Sequence, residues 1–267
     1  MINKTVCILA LMLLFTTSAM AEIRTLPTDT LKSGQIEGEV FYEHVDSRMD
    51  TSLGEFKQKS NITSVGVGVG VTNKFKLYGE LPYYVTNKGT LGGNSVSTDG
   101  FGDAVVGARY RILDNDCDAV GLSVGIESLL DSGAKGVSSR TYVVAPYVAV
   151  SKAFKRVVPY VQVAAGYSTR DESASLFGGG GFQYRLPRVV FDARATGLFN
   201  GGGKNSTTSF NVWGASLRSH IRIVEHLYAV PFIGMSLSSA SQDKQNPSIT
   251  YDGATAYNGG FGLYWLY

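Results

Sequence analysis

The chain is poor in everything that would make it an ordinary secreted or cytosolic domain. It has 267 residues with only two cysteines, seven prolines and three histidines, and a formal net charge of +2. It also has almost no long apolar run. The exception is Val6 to Phe15, ten residues, where a helix crossing a bilayer takes roughly 20. With Lys4 before it and Ala19-Met20-Ala21 after it, that run reads as a signal peptide over residues 1–21, with Glu22 opening the mature chain. Cys7 lies inside the run, so no cysteine stands at the cut to accept a lipid. Cys117 is then alone, which excludes an intrachain disulfide and a small disulfide-framed domain. Loss of Lys4 leaves 23 of the 24 Lys and Arg against 22 Asp and Glu, and this balance gives no electrostatic case for nucleic acid.

What is abundant is glycine, 32 residues, and tyrosine, 15, which suits an all-β chain with many turns and interfacial aromatics. The stretch Gly100 to Leu113 shows how they are used. Ala104, Val106, Ala108, Tyr110 and Ile112 alternate with Asp103, Val105, Gly107, Arg109 and Arg111. Side chains of an extended strand alternate faces, so one face is apolar and the other carries an acid and two guanidiniums. In a soluble sheet the apolar face would meet a core. In a transmembrane barrel it would meet lipid, and the charged face would look into a lumen.

The same rhythm recurs along the chain. After a polar lead-in, residues 22–34, expected to be loose and periplasmic, strands are expected at Glu37 to Val45, Phe56 to Val71, Phe75 to Val85 and Gly100 to Leu113. Further strands follow at Val120 to Glu127, Ser139 to Ser151, Val157 to Thr169, Ser173 to Leu186, Val189 to Asn200, Thr207 to His220, His226 to Ala240 and Tyr251 to Tyr267. Connections alternate. Thr72 to Lys74, Lys152 to Arg156 and Pro187-Arg188 are short, whereas Asp46 to Glu55, Asn87 to Asp99, Asp131 to Ser138 and the segment from Gly201 are longer and polar. Short turns at one end and long loops at the other are what a transmembrane antiparallel up-and-down β-barrel shows. The fold expected is therefore all-β, a barrel of about 12 strands over residues 35–267, in the bacterial outer membrane. Pro82, Pro146, Pro159 and Pro231 fall inside proposed strands, where each removes a ladder donor.

On this parity the lumen receives Glu37, Glu39, Glu43, Lys76, Glu80, Asp103, Arg109, Arg111, Glu127, Asp192, Arg194 and Arg218. Two readings fit such a set. It is a polar constriction that filters small solutes, or it is a network that fills the lumen of a structural or surface-interaction barrel. Eight strands fill with side chains and sixteen leave a channel, so twelve lies between; Gly66, Gly68, Gly70, Gly179 and Gly181 tilt the balance toward a narrow channel. A lipid-modifying enzyme would need a serine within reach of a histidine. His44, His220 and His226 offer no such dyad, because Ser219 and His220 are sequence neighbours and point to opposite faces. The other motif matches are refused. Gly201 to Lys204 lacks the spacing of a phosphate loop, Gly66 to Val71 is a strand and not a dinucleotide fingerprint, and Asp114, Asp116 and Asp118 read as a solvated turn rather than a Ca²⁺ loop. No cofactor or metal is expected.

The terminal segment Tyr251 to Tyr267, with Phe261, Leu263, Trp265 and Tyr267 on one face, resembles the C-terminal signature strand of Gram-negative outer-membrane barrels. That resemblance implies recognition by the barrel-assembly machinery; the usual last residue is Phe, where this chain has Tyr267. Gly100, Phe101, Gly102 and Asp103, then Arg109, Tyr110 and Arg111, preceded by Leu81, Pro82 and Tyr83, resemble the outer-membrane family named for a putative MetA pathway of phenol degradation. The resemblance covers about Val65 to Tyr267 and implies a transporter-like barrel passing small aromatic or apolar compounds. The other expected partners are outer-membrane lipid and a small-molecule solute, and the polar loops point to a monomer. A barrel of this kind keeps its fold in cold detergent. The unheated protein should run faster on a denaturing gel than the boiled one, and identical migration would count against the barrel.

Overall fold

A computed structural model describes residues 26–114, 120–170, 172–202, 209–244 and 246–267. The expected signal peptide, Cys117, Asp116, Asp118 and Lys204 lie outside the described residues. The described chain forms β1 (Ile36–Thr51), β2 (Gly54–Thr72), β3 (Phe75–Leu91), β4 (Asn94–Phe101), β5 (Val105–Leu113), β6 (Val120–Leu129) and β7 (Val143–Lys152). It continues with β8 (Val157–Ser168), β9 (Ser173–Arg185), β10 (Val189–Asn200), β11 (Phe210–Val224), β12 (Leu227–Ser238), the two-residue β13 (Ser241–Gln242) and β14 (Thr250–Leu266). Each strand pairs antiparallel with its neighbours, and β1 pairs with β14 from Glu37↔Leu266 to Thr51↔Tyr251. The sheet thereby closes into a barrel of twelve strands, with β4 and β13 as short additions beyond it.

Closure is the condition for living in hydrocarbon, where every unpaired backbone N–H or C=O costs several kcal/mol. The outward residues agree. Val40, Val65, Val67, Leu77, Val106, Val148, Val161, Leu217 and Leu263 are all exposed, an apolar belt around the cylinder. Aromatic side chains edge it. Tyr83 stacks edge-on with Phe101 and Phe199 with Trp213, at centroid distances of 5.1 and 5.0 Å. Across the β1–β14 seam the Trp265 ring lies over Gly38, where an added Cβ would come within 2.1 Å of it. A closed barrel with an oily outside and ionised groups inside is an outer-membrane barrel, not a pair of stacked soluble sheets.

Two expected loops are strand instead. Asp46 to Glu55 continues β1 into β2 around a two-residue turn at Ser52-Leu53, and Asn87 to Asp99 forms the hairpin of β3 with β4 around Gly92-Gly93. Their outward residues, including Asp46 and Arg48, are polar because they stand clear of the apolar belt, and that polarity gives them the composition of loops. Gly100 to Leu113 is likewise not one strand, since residues 102–104 interrupt it. The sixth barrel strand starts at Val143 rather than Ser139.

The four prolines fall where the ladder can spare a donor. Each pairs on one side, Pro82 with Ser64, Pro146 with Ile126, Pro159 with Phe182 and Pro231 with Phe261. On the other side the ladder has ended or is broken: β3–β5 stops at Glu80, β7–β8 skips from Val144 to Tyr147 and stops at Ser151, and β11–β12 skips from Phe232 to Ala229. The missing N–H is lost from the unpaired side.

The described part of the lead-in, residues 26–34, is not loose. Leu26, Thr28 and Leu31 are buried, Leu26 against Val158 and Tyr160; Gly34 N–H donates to Gly70 O of β2, and Gly70 N–H donates to Gln35 O. Two apolar side chains among polar ones gave no periodic signal in the sequence, but they are enough to seat a short segment in a mouth. A cation placed mid-belt tests the membrane assignment. Val67→Arg should destabilise the folded barrel by about 2–4 kcal/mol, against about 0–1 for Thr63→Arg nearer the belt's edge, in urea titrations in vesicles. Equal, small effects would contradict the belt.

Candidate functional site in the lumen

Alternate residues of every strand face inward, and they form two layers of different character. At the end where both termini lie, the layer is packed. Lys76 forms an ion pair with Glu37, both essentially unexposed, and Tyr264 Oη donates to Glu37 Oε2 at 3.0 Å. Arg109, fully buried, donates from Nε to Tyr147 Oη at 2.8 Å. From Nη1 it reaches Asp29 O at 2.8 Å and Leu26 O at 3.3 Å, and so grips the lead-in by its backbone. Ser123 Oγ donates to Pro27 O at 2.6 Å, Thr28 and Ser151 hydroxyls meet at 2.6 Å, and Arg185 lies 3.7 Å from the Asp29 carboxylate. Residues from β5, β6, β7 and β9 thus hold one segment. Beside them, Asp192 accepts from Tyr160 Oη at 2.8 Å and Gln183 Nε2 at 3.0 Å, and Arg194 Nε donates to the same Tyr160 oxygen at 3.0 Å.

Toward the loop end Val45, Met49, Phe56, Ile62 and Val212 are buried again, and an exposed inward position stands between the two packed levels. On β11, Ser216 faces inward and is exposed. Around it are Gly214, whose added Cβ would approach Thr196 Oγ1 to 2.6 Å, and Gly234, whose added Cβ would approach Asn258 Oδ1 to 2.5 Å. Several strands bring charges to this level. Glu43 on β1 accepts from Asn258 Nδ2 at 2.6 Å, Glu80 on β3 stands opposite Gly66 of β2, and Glu127 on β6 accepts from Tyr78 Oη at 2.7 Å. The Arg218 guanidinium, from β11, lies 5.5 Å from the centroids of both Phe41 on β1 and Phe232 on β12, themselves an edge-on pair. Such cation–π contacts hold a guanidinium by its face and leave its N–H edge available.

Of the twelve residues expected to line a pore, ten sit in these layers, Glu39 among them beside Gly66. Two have other work. Arg111 lies at the terminal rim, donating to Asn73 O at 2.9 Å and facing Asp114 at 3.1 Å. Asp103 points inward as its parity requires, but it pins a loop. Its Oδ1 accepts from Gly133 N at 2.9 Å, and its Oδ2 accepts from Ser139 N at 2.6 Å and Ser139 Oγ at 2.5 Å. The β6–β7 connection so held buries Val137 against Val45, Ile62 and Tyr84. The residues behind the MetA resemblance meet at this junction: Gly102 N donates to Pro82 O at 2.8 Å beneath the Tyr83–Phe101 pair.

The functional residues missed from sequence are tyrosines. Tyr78, Tyr147, Tyr160 and Tyr264 are the hinges of the inner network, and their parity with Lys76, Ser151, Gln162 and Gly262 was available to find them. Among the histidines, His44 Nδ1 meets Asn61 Oδ1 at 2.8 Å on the outer face, and His226 is mostly exposed in the β11–β12 turn.

No protein-family model matches the chain, and no curated protein matches it. Among solved structures it is similar to the COG4313 outer-membrane channel from Pseudomonas putida F1, with a TM-score of 0.67 and 12% identity over 92% of this chain and 100% of that one. It is also similar to the translocator domain of the autotransporter NalP from Neisseria meningitidis, with a TM-score of 0.54 and 12% identity over 97% of each chain. These likenesses are of fold. The inner network predicts a coupled pair: Lys76→Met alone should cost about 3–5 kcal/mol by stranding Glu37, and Lys76→Met with Glu37→Gln should recover most of it in urea unfolding. Additive losses would show that the two do not interact.

Proposed function

We propose that the chain is a narrow outer-membrane channel for small solutes, closed at its periplasmic end by its own lead-in. The observation that carries this is the division of the lumen. Where it is closed, part of the closure is a separate segment, residues 26–35, held by hydrogen bonds and two apolar side chains. Above it the strands themselves carry glycine, serine and threonine, and Ser216 is exposed. The polar lining suits solutes that shed little hydration, and the resemblance to the MetA family adds small aromatic compounds to the candidates. In the same reading the C-terminal strand addresses the chain to the assembly machinery and the barrel works as a monomer in outer-membrane lipid.

The rival reading, a structural barrel with a filled lumen, is favoured by the Glu37–Lys76–Tyr264 and Tyr160–Asp192–Arg194 groups, which are closed among themselves. Planar-bilayer recording separates the two. The intact protein should conduct little, and a variant lacking residues 26–35 should conduct clearly more, with an ion preference that weakens at high salt because the lining charges are then screened. A deletion variant that keeps heat-modifiable migration and does not conduct would give the lumen to the rival.

A further inference from the structure

The channel reading says nothing of which solutes the loop-end half of the lumen prefers, but the placement of its charges does. Glu43, Glu80 and Glu127 come from β1, β3 and β6, and Arg218 comes from β11. In the closed order of strands β11 stands three places from β1 and five from β3. The Arg218 guanidinium lies against Phe41, two residues from Glu43 on β1, while its cross-strand neighbour Asp192 is taken up by Tyr160 and Gln183. Among the described residues no ion pair joins Arg218 to a carboxylate.

Arg218 is also built to stay where it is. Phe41 and Phe232 support the faces of its guanidinium, so the fork that would bind an anion bidentately is held in place before any ligand arrives. Space lies beside it at the exposed Ser216. Opposite charges held a short way apart in a low-dielectric cleft concentrate a field between them. A solute with one charge gains at one group and loses at the other. One with both charges gains at both.

We propose that the loop-end half of the lumen is a binding site for small zwitterionic solutes, the anionic group held by Arg218 and the cationic group by Glu43 and Glu80. This rests on the channel reading only in taking the lumen as reachable by solute, and binding can be measured without passage.

The test uses the full mature chain in detergent micelles and titration calorimetry with three probes of one carbon skeleton: γ-aminobutyrate, butyrate and butylammonium. γ-Aminobutyrate should bind at least tenfold more tightly than either singly charged probe, and less so in 1 M salt. Arg218→Gln should remove that preference. Glu43→Gln, which can keep its bond from Asn258, should reduce it at least threefold, and it carries the test if the Arg218 variant loses heat-modifiable migration. Equal affinities for the three probes, no binding of any, or a preference untouched by both substitutions would overturn the proposal. Discrimination among probes together with a lead-in deletion that stays closed would keep the site and reject the channel.

Discussion

A backbone in hydrocarbon has no water to turn to, and the pairing of β1 with β14 answers that demand for the whole molecule. Once the first strand has found the last, no edge remains, and every residue is assigned to lipid or to lumen by its parity alone. The same seam puts Gly38 under the Trp265 ring on one face and Glu37 within reach of Tyr264 on the other. Outer and inner surfaces are thus set by one register, and a slip of a single residue would turn glutamates toward lipid and valines into the lumen.

That constraint explains why so much ionisable chemistry can stand inside. Charges buried without partners are expensive, and this lumen meets the cost in two ways. At the terminal end it closes them into bonded groups with tyrosine hydroxyls as connectors and with the lead-in's carbonyls as acceptors for Arg109. At the loop end it leaves Arg218 on aromatic support and the carboxylates on amide or hydroxyl donors. The first arrangement resists passage, and the second leaves groups able to recognise a solute.

The alternation carried the strands, the closed fold and the inward set, because parity is a local property that needs no partner to be visible. It could not show what each inward residue meets. Asp103 has the parity of a lumen residue, yet the chain breaks at residues 102–104, so its carboxylate serves a loop thirty residues away in sequence. Composition misled where strands leave the membrane: Asp46 and Arg48 read as loop because their outward neighbours are water. The lead-in was illegible for a different reason. Its fit depends on Arg109, Ser123 and Ser151, which come from three strands that only the closed barrel brings together.

The central claim is that each strand has a wet side and an oily side. A cysteine scan along β11 from Val212 to Ile221, in a chain with Cys117→Ser and reconstituted in vesicles, reads this residue by residue. A water-soluble thiol reagent should label positions 214, 216 and 218 and spare 213, 215 and 217, with the reverse order for a lipid-soluble one. Labelling without alternation, or with the two sets exchanged, would contradict the account.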